Sequence, residues 1–64
     1  MESKYIEVNK EISIGARVKM RKNYQVGEVK EIRGRRAVVQ IGALPMNVAL
    51  ADLVVVEAKE RATL

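Results

Sequence analysis

The sequence predicts an all-β fold, a small barrel of five short strands. Three observations predict it. Apolar residues alternate with polar ones in short runs, as in Val18 and Met20 or Ala37, Val39 and Ile41, the period of a half-buried strand. The four glycines stand at 15, 27, 34 and 42, between those runs. Pairing two of the runs across Gly42-Ala43 sets every inward apolar residue opposite another. A sheet of strands this short hides its edges by curling on itself.

The first strand is Arg17 to Arg21, with Val18 and Met20 inward. Ile12 and Ile14 continue that parity upstream, and Gly15 bends the chain between. Lys22 to Val26 is a polar loop carrying Tyr24. Gly27 ends it at a position expected to need positive φ or close backbone approach.

Glu28 to Ile32 is the second strand. Val29 and Ile32 have opposite parity, so a β-bulge near Lys30 is needed to turn both inward. Gly34-Arg35 then makes a two-residue turn that pairs Ile32 with Ala37. The third strand is Arg36 to Ile41. A second turn at Gly42-Ala43 pairs Ile41 with Leu44, Val39 with Met46 and Ala37 with Val48, and a slip of one residue would destroy that match. Pro45, lacking an N–H, requires its strand to be an edge. Leu50 to Leu53 reads as one 3₁₀ turn with Asp52 as its cap, and Val54 to Val56 as the closing strand.

Sixty-four residues make one domain with a thin stability margin. Residues 1–13 read as an N-terminal linker or tail, 14–56 as the barrel, and 57–64 as a C-terminal linker or tail that starts a further segment or helix; the chain reads as a module cut from a longer protein. It has no Cys and no His, which removes disulfides, thiolate metal sites and the usual general base. That composition fits a cytoplasmic setting. No apolar run approaches the roughly 18 residues of a membrane span, and the first residues lack an apolar signal core. Neither a membrane nor a small-molecule substrate is expected as partner, and no cofactor.

Charge is uneven. Residues 17–36 carry eight basic side chains against Glu28 and Glu31, whereas residues 37–56 carry one charge, Asp52. A small barrel with one basic side suits an anionic partner, most often nucleic acid.

Four strings carry a resemblance to a known family. They are Ile14-Gly15-Ala16-Arg17-Val18, Gln25-Val26-Gly27-Glu28-Val29, Ala37-Val38-Val39-Gln40-Ile41-Gly42, and Met46-Asn47-Val48 followed by Leu50-Ala51-Asp52-Leu53. The first two are weak alone; the last two in succession are far more specific. Together, over residues 14–56, they resemble the KOW-like domain of the MutS-II family, the bacterial MutS paralogue. Ala16 stands where that family commonly has an acid, Pro45 where it has a base, and Tyr24 is unusual in its loop.

The resemblance implies a five-stranded Src-homology-3-like barrel of KOW type, without catalysis of its own. It further implies a parent with an upstream ATPase and a downstream Smr endonuclease domain. Such parents are tied to DNA mismatch repair, suppression of recombination and rescue of collided ribosomes. The partner implied is DNA or ribosomal RNA, with the ribosome reached through the parent. No Gly-rich phosphate loop ending in Gly-Lys-Ser/Thr lies in these residues, so ATP chemistry would belong to the parent. The alternative is a protein-interaction or spacer module that positions the parent's ATPase and nuclease domains; it calls for exposed apolar residues among Val38, Ala49, Val54 and Val56.

The candidate binding residues are Arg21, Lys22, Tyr24, Arg33, Arg35 and Arg36. The three arginines crowd the turn at Gly34, where their planar forks suit phosphate; the plainer reading is a solvated turn partly paired with Glu31. Arg17, Lys19 and Arg21 line one face of the first strand. They could track a nucleic-acid backbone or guard an edge strand, the guard being favoured for Lys19 and binding for Arg21 and Lys22. Tyr24 could stack on a base, but capping of the barrel's open end is the favoured reading. Met20 and Met46 read as core filler.

Overall fold

The computed structural model of the chain describes residues 4–59. These residues form six antiparallel strands and one 3₁₀ turn: β1 Tyr5–Glu7, β2 Arg17–Met20, β3 Val26–Arg33, β4 Arg36–Ile41, β5 Leu44–Ala49, the turn Leu50–Asp52, and β6 Leu53–Ala58. The strands make a single sheet in the order β1-β6-β2-β3-β4-β5, a small SH3-like barrel.

The middle of the sheet follows the sequence pattern closely. β4 pairs with β5 in the expected register, Ala37 with Val48, Val39 with Met46 and Ile41 with Leu44. Both hairpin glycines adopt left-handed backbone at the first loop position, Gly34 with φ 59° and Gly42 with φ 63°, where a Cβ would be strained. Pro45 stands on β5, an edge of the sheet, so its missing N–H costs no ladder bond. Between β3 and β4 the register skips from Val29↔Val39 to Glu31↔Val38. Lys30 is therefore the bulged residue, exposed while Val29 is buried and Ile32 packs against the core. Gly27 has ordinary φ; its constraint is close approach to β4.

Val18, Val29 and Val39 are fully enclosed at the centre, with Met20, Ala37, Val48, Leu53 and Val55 around them. β6 lies beside β2, Val18 opposite Val55, and so carries the C-terminal strand through the middle of the sheet.

Several expectations are revised. The strands number six rather than five, because Tyr5–Glu7, within the segment read as a tail, pairs with β6 as Tyr5↔Ala58 and Glu7↔Val56. Val8 extends the attachment, its N–H donating to the Val55 carbonyl at 2.9 Å. β6 also runs past Val56 to Ala58; the remainder of the C-terminal segment, from residue 60, lies outside the described residues. β2 is flanked by β6 and β3, so Lys19 guards no edge. Ile14 and Leu44, assigned inward by parity, are 66% and 61% exposed. Leu44 opens β5 at the hairpin end and Ile14 lies in the turn before β2, so neither is covered by the sheet's inner face. Asp52 makes no side-chain cap to the 3₁₀ turn; the Leu53 N–H closes it onto the Leu50 carbonyl.

Val54 and Val56 lie on the face of β6 opposite Leu53 and Val55. Val56 is buried yet stands outside the main core. Glu7 is its register partner on β1 and Lys19 is the partner of Val54 on β2. Glu7 and Lys19 join across β6 at 2.7 Å, and the Arg17 guanidinium lies 5.6 Å from the Tyr5 ring centroid. Long side chains cover apolar surface in this way while their charged heads stay wet.

Candidate nucleic-acid interface

The basic side chains of residues 17–36 divide by what neutralises them. Lys19 is paired with Glu7, Lys30 with Glu28 at 3.5 Å, and Arg33 with Glu31 at 2.8 Å. Arg36 is fixed by neutral groups, its Nε donating to Asn47 Oδ1 at 2.6 Å and its Nη2 to the Asn47 carbonyl at 3.3 Å. No carboxylate among the described residues pairs with it. Arg17, Arg21, Lys22 and Arg35 have no carboxylate partner among the described residues, Arg17 being set instead against the Tyr5 ring.

Two segments bring these charges together. The β2–β3 loop, residues 21–25, is a hairpin connection in which the Tyr24 N–H donates to the Met20 carbonyl and the Met20 N–H to the Gln25 carbonyl, both at 2.8 Å. Asn23 closes it from within, its Oδ1 accepting the Gln25 N–H at 3.1 Å, the local turn chemistry asparagine favours. This loop is docked onto the 3₁₀ turn, because the Arg21 N–H donates to the Asp52 carbonyl at 2.8 Å. The β3–β4 turn is tied to the same place by the Leu50 N–H on the Arg35 carbonyl, also 2.8 Å.

A concavity of about 420 Å³ lies between them, lined by Lys22 and Asn23 from the loop, Arg36 and Asn47 from β4 and β5, and Asp52 from the 3₁₀ turn. Met20, Met46 and Val48 contribute apolar surface to it. The rim can accept an anion: two cations and two side-chain amides converge there, with Asp52 as the one opposing charge among the described residues. Arg36, held bidentately by Asn47, is preorganised.

Of the six residues singled out from the sequence, Lys22 and Arg36 share this concavity. Arg21 and Arg35 stand on the two segments docked to its 3₁₀ turn. Arg33 is the register partner of Arg36 and lines a separate, shallow surface with it and Glu31. Tyr24 does not cap the barrel. It is 71% exposed, because its left-handed φ of 63° closes the loop and turns the ring outward. The Lys19 ammonium stands 5.4 Å from its ring centroid.

Asn23, Asn47 and Asp52 were not expected as lining residues. The β4–β5 register carried a signal for Asn47, which faces Val38, two residues along from Arg36. The four positions on which a protein-docking face would depend are covered to different degrees: Val38, Ala49 and Val54 are half-buried and Val56 is buried. Among the described residues, no three His, Cys, Asp or Glu side chains gather in a way that could hold a metal ion, and no helix is long and apolar enough to cross a membrane.

The fold defines a small SH3-like module. Residues 14–53 match the family of the MutS2 and Smr-associated SH3 domain, and the chain belongs to that family. No curated protein and no solved structure matches it.

Proposed function

We propose that this domain binds nucleic acid through the sugar-phosphate backbone, as a KOW-type barrel of a MutS-II-type protein in the cytoplasm. The phosphates of duplex DNA or of structured ribosomal RNA would lie along Arg21, Lys22, Arg35 and Arg36, with no base edges read. One observation carries this reading. None of those four cations has a carboxylate partner among the described residues, Arg36 being held by an amide, whereas Lys19, Lys30 and Arg33 are each paired with one; Arg17, also without one, lies against the Tyr5 ring. Unneutralised cations clustered at a concavity form the electrostatic footprint of a backbone binder. Family membership supports the setting: a parent with ATPase and endonuclease domains, acting in recombination suppression, mismatch repair or ribosome rescue, would use such a module to hold its substrate.

Fluorescence anisotropy with labelled duplex DNA and with structured ribosomal RNA, at several salt concentrations, tests the reading. Binding to at least one should weaken with salt by about 0.9 in log K per log salt for each phosphate neutralised on duplex DNA. The Lys22→Glu/Arg35→Glu variant should bind more weakly with a shallower slope. Absence of binding to both at low salt would overturn the proposal. The tighter ligand identifies the parent's target.

A further inference from the structure

Tyr24 occupies a position that its residue type resists. Its φ is 63°, and no other residue among those described, glycines apart, has positive φ. Glycine or asparagine fits this conformation without difficulty, whereas a bulky side chain there is an outlier. The loop gains nothing in burial from the exception, since the ring is 71% exposed. Its hydrogen bonds come from the backbone and from Asn23, and a smaller residue would keep them all. A strained aromatic that stays largely exposed is a feature from which a functional role can be argued.

The surroundings specify that role. Lys19 stands over the ring at 5.4 Å. It is itself anchored by Glu7 at 2.7 Å, with a side chain only 21% exposed. One ring face is thus backed by a fixed cation, and most of the remaining ring surface is open. Arg21 and Lys22, three and two residues before it, have no carboxylate partner among the described residues. A flat aromatic beside unneutralised cations is the arrangement that stacks an unpaired base while the cations hold its phosphates. Duplex bases are stacked on each other and cannot use it.

We infer that Tyr24 is a stacking platform for an unpaired nucleobase, so that the domain prefers nucleic acid with a single-stranded segment over a continuous duplex. This inference rests on the backbone-binding reading and adds the strandedness of the ligand. Stacking tolerates any base, because each has a π face, so it adds no sequence preference.

The test compares four proteins, the wild type, Tyr24→Gly, Tyr24→Phe and Lys22→Glu/Arg35→Glu. Each is titrated with a fluorescein-labelled oligothymidine of about 12 nucleotides, within the site sizes of small single-strand binders, and with a duplex of the same length. Tyr24→Gly suits the left-handed backbone, so loss of folding does not confuse the result; circular dichroism checks it. The expected result is tighter wild-type binding to the single strand than to the duplex. Tyr24→Gly should then lose about 5- to 150-fold on the single strand, the range expected for one stacked base, with duplex affinity changed by about twofold or less. Tyr24→Phe should retain the preference, and the charge-reversal variant should weaken both ligands. If wild type binds both ligands and Tyr24→Gly weakens neither selectively, the stacking platform is overturned while the backbone clamp stands. If wild type binds neither, the stacking platform falls, and the backbone clamp falls with it only if structured ribosomal RNA also fails to bind.

Discussion

Gly27 lies so close to Gln40 that a Cβ built on it would meet the Gln40 carbonyl oxygen at 2.6 Å. The same atom would meet Val39 Cγ1 at 2.7 Å and Ile41 Cγ1 at 2.8 Å. A backbone oxygen cannot swing away as a side-chain tip can, so β3 and β4 would have to separate. We expect Gly27→Ala to destabilise the domain by about 2 kcal/mol, the scale of core overpacking. Thermal denaturation should show a fall in Tm of about 10 °C for a domain of this size.

Burial divides the apolar residues of the β4–β5 hairpin into two groups. Val39 is fully enclosed, whereas Leu44 is largely exposed. Val39→Ala should cost about 2–3 kcal/mol through lost burial and the cavity left behind. Leu44→Ala should stay within about 0.5 kcal/mol of wild type. Urea titration of both variants checks the contrast, with the m-value unchanged.

The same logic applies to Tyr24, where strain replaces burial. Replacing it by glycine relieves the left-handed conformation at φ 63° but frees the unfolded chain. Relief should win, giving a variant more stable by about 0.5–1 kcal/mol. A binding loss accompanied by a gain in stability would show that the residue is retained for the ligand.

The β1 attachment should depend on pH. The Lys19 ammonium hydrogen-bonds the Glu7 carboxylate and attracts its charge, with a smaller pull from Arg21, and together they hold Glu7 below its ordinary value of 4.5. A folded-state pKa below the unfolded one means the contribution is present above pH 4.5 and is lost as pH falls through the folded value. Acidification should therefore loosen β1 from β6. Hydrogen exchange at the Val8 amide, which donates to Val55, should speed up below that pH in wild type. In Glu7→Gln it should be fast throughout.

Among the described residues, Asp52 is the one carboxylate lining the basic concavity. Its structural contribution is made by its backbone carbonyl, which accepts the Arg21 N–H. Asp52→Asn should thus preserve the fold and raise affinity for a polyanion about two- to fivefold at low salt, the difference fading as salt screens it. Anisotropy titration of this variant checks the sign.

Much of the fold was legible because its cues are local. Gly34 and Gly42 fix two short hairpins, and once the turns are set the parity of Ala37, Val39, Met46 and Val48 leaves one register. The conflict between Val29 and Ile32 located the bulge at Lys30 for the same reason. β1 was illegible because its supports are distant in sequence: Tyr5 pairs with Ala58, and Glu7 meets Lys19 across β6. Residues 5–7 alone carry too few alternations to mark a strand. The candidate site was legible as charge but not as pairing. Arg33 and Glu31 share a strand and a face, so their ion pair could be anticipated. The fixing of Arg36 by Asn47 needed the register, and the docking of the β2–β3 loop on the 3₁₀ turn by backbone bonds leaves no mark in side-chain identity.

The central claim is that the unneutralised cations around the concavity are where nucleic acid lies. Amide chemical-shift mapping of the ¹⁵N-labelled domain, titrated with a short duplex, tests it most directly. The account predicts that shifts concentrate at Arg21 to Tyr24, at Arg35 and Arg36, and at Asn47 to Asp52. Shifts confined to the opposite end of the barrel, around the Gly42 turn, or to the Lys10–Glu57 side of β6, would contradict it.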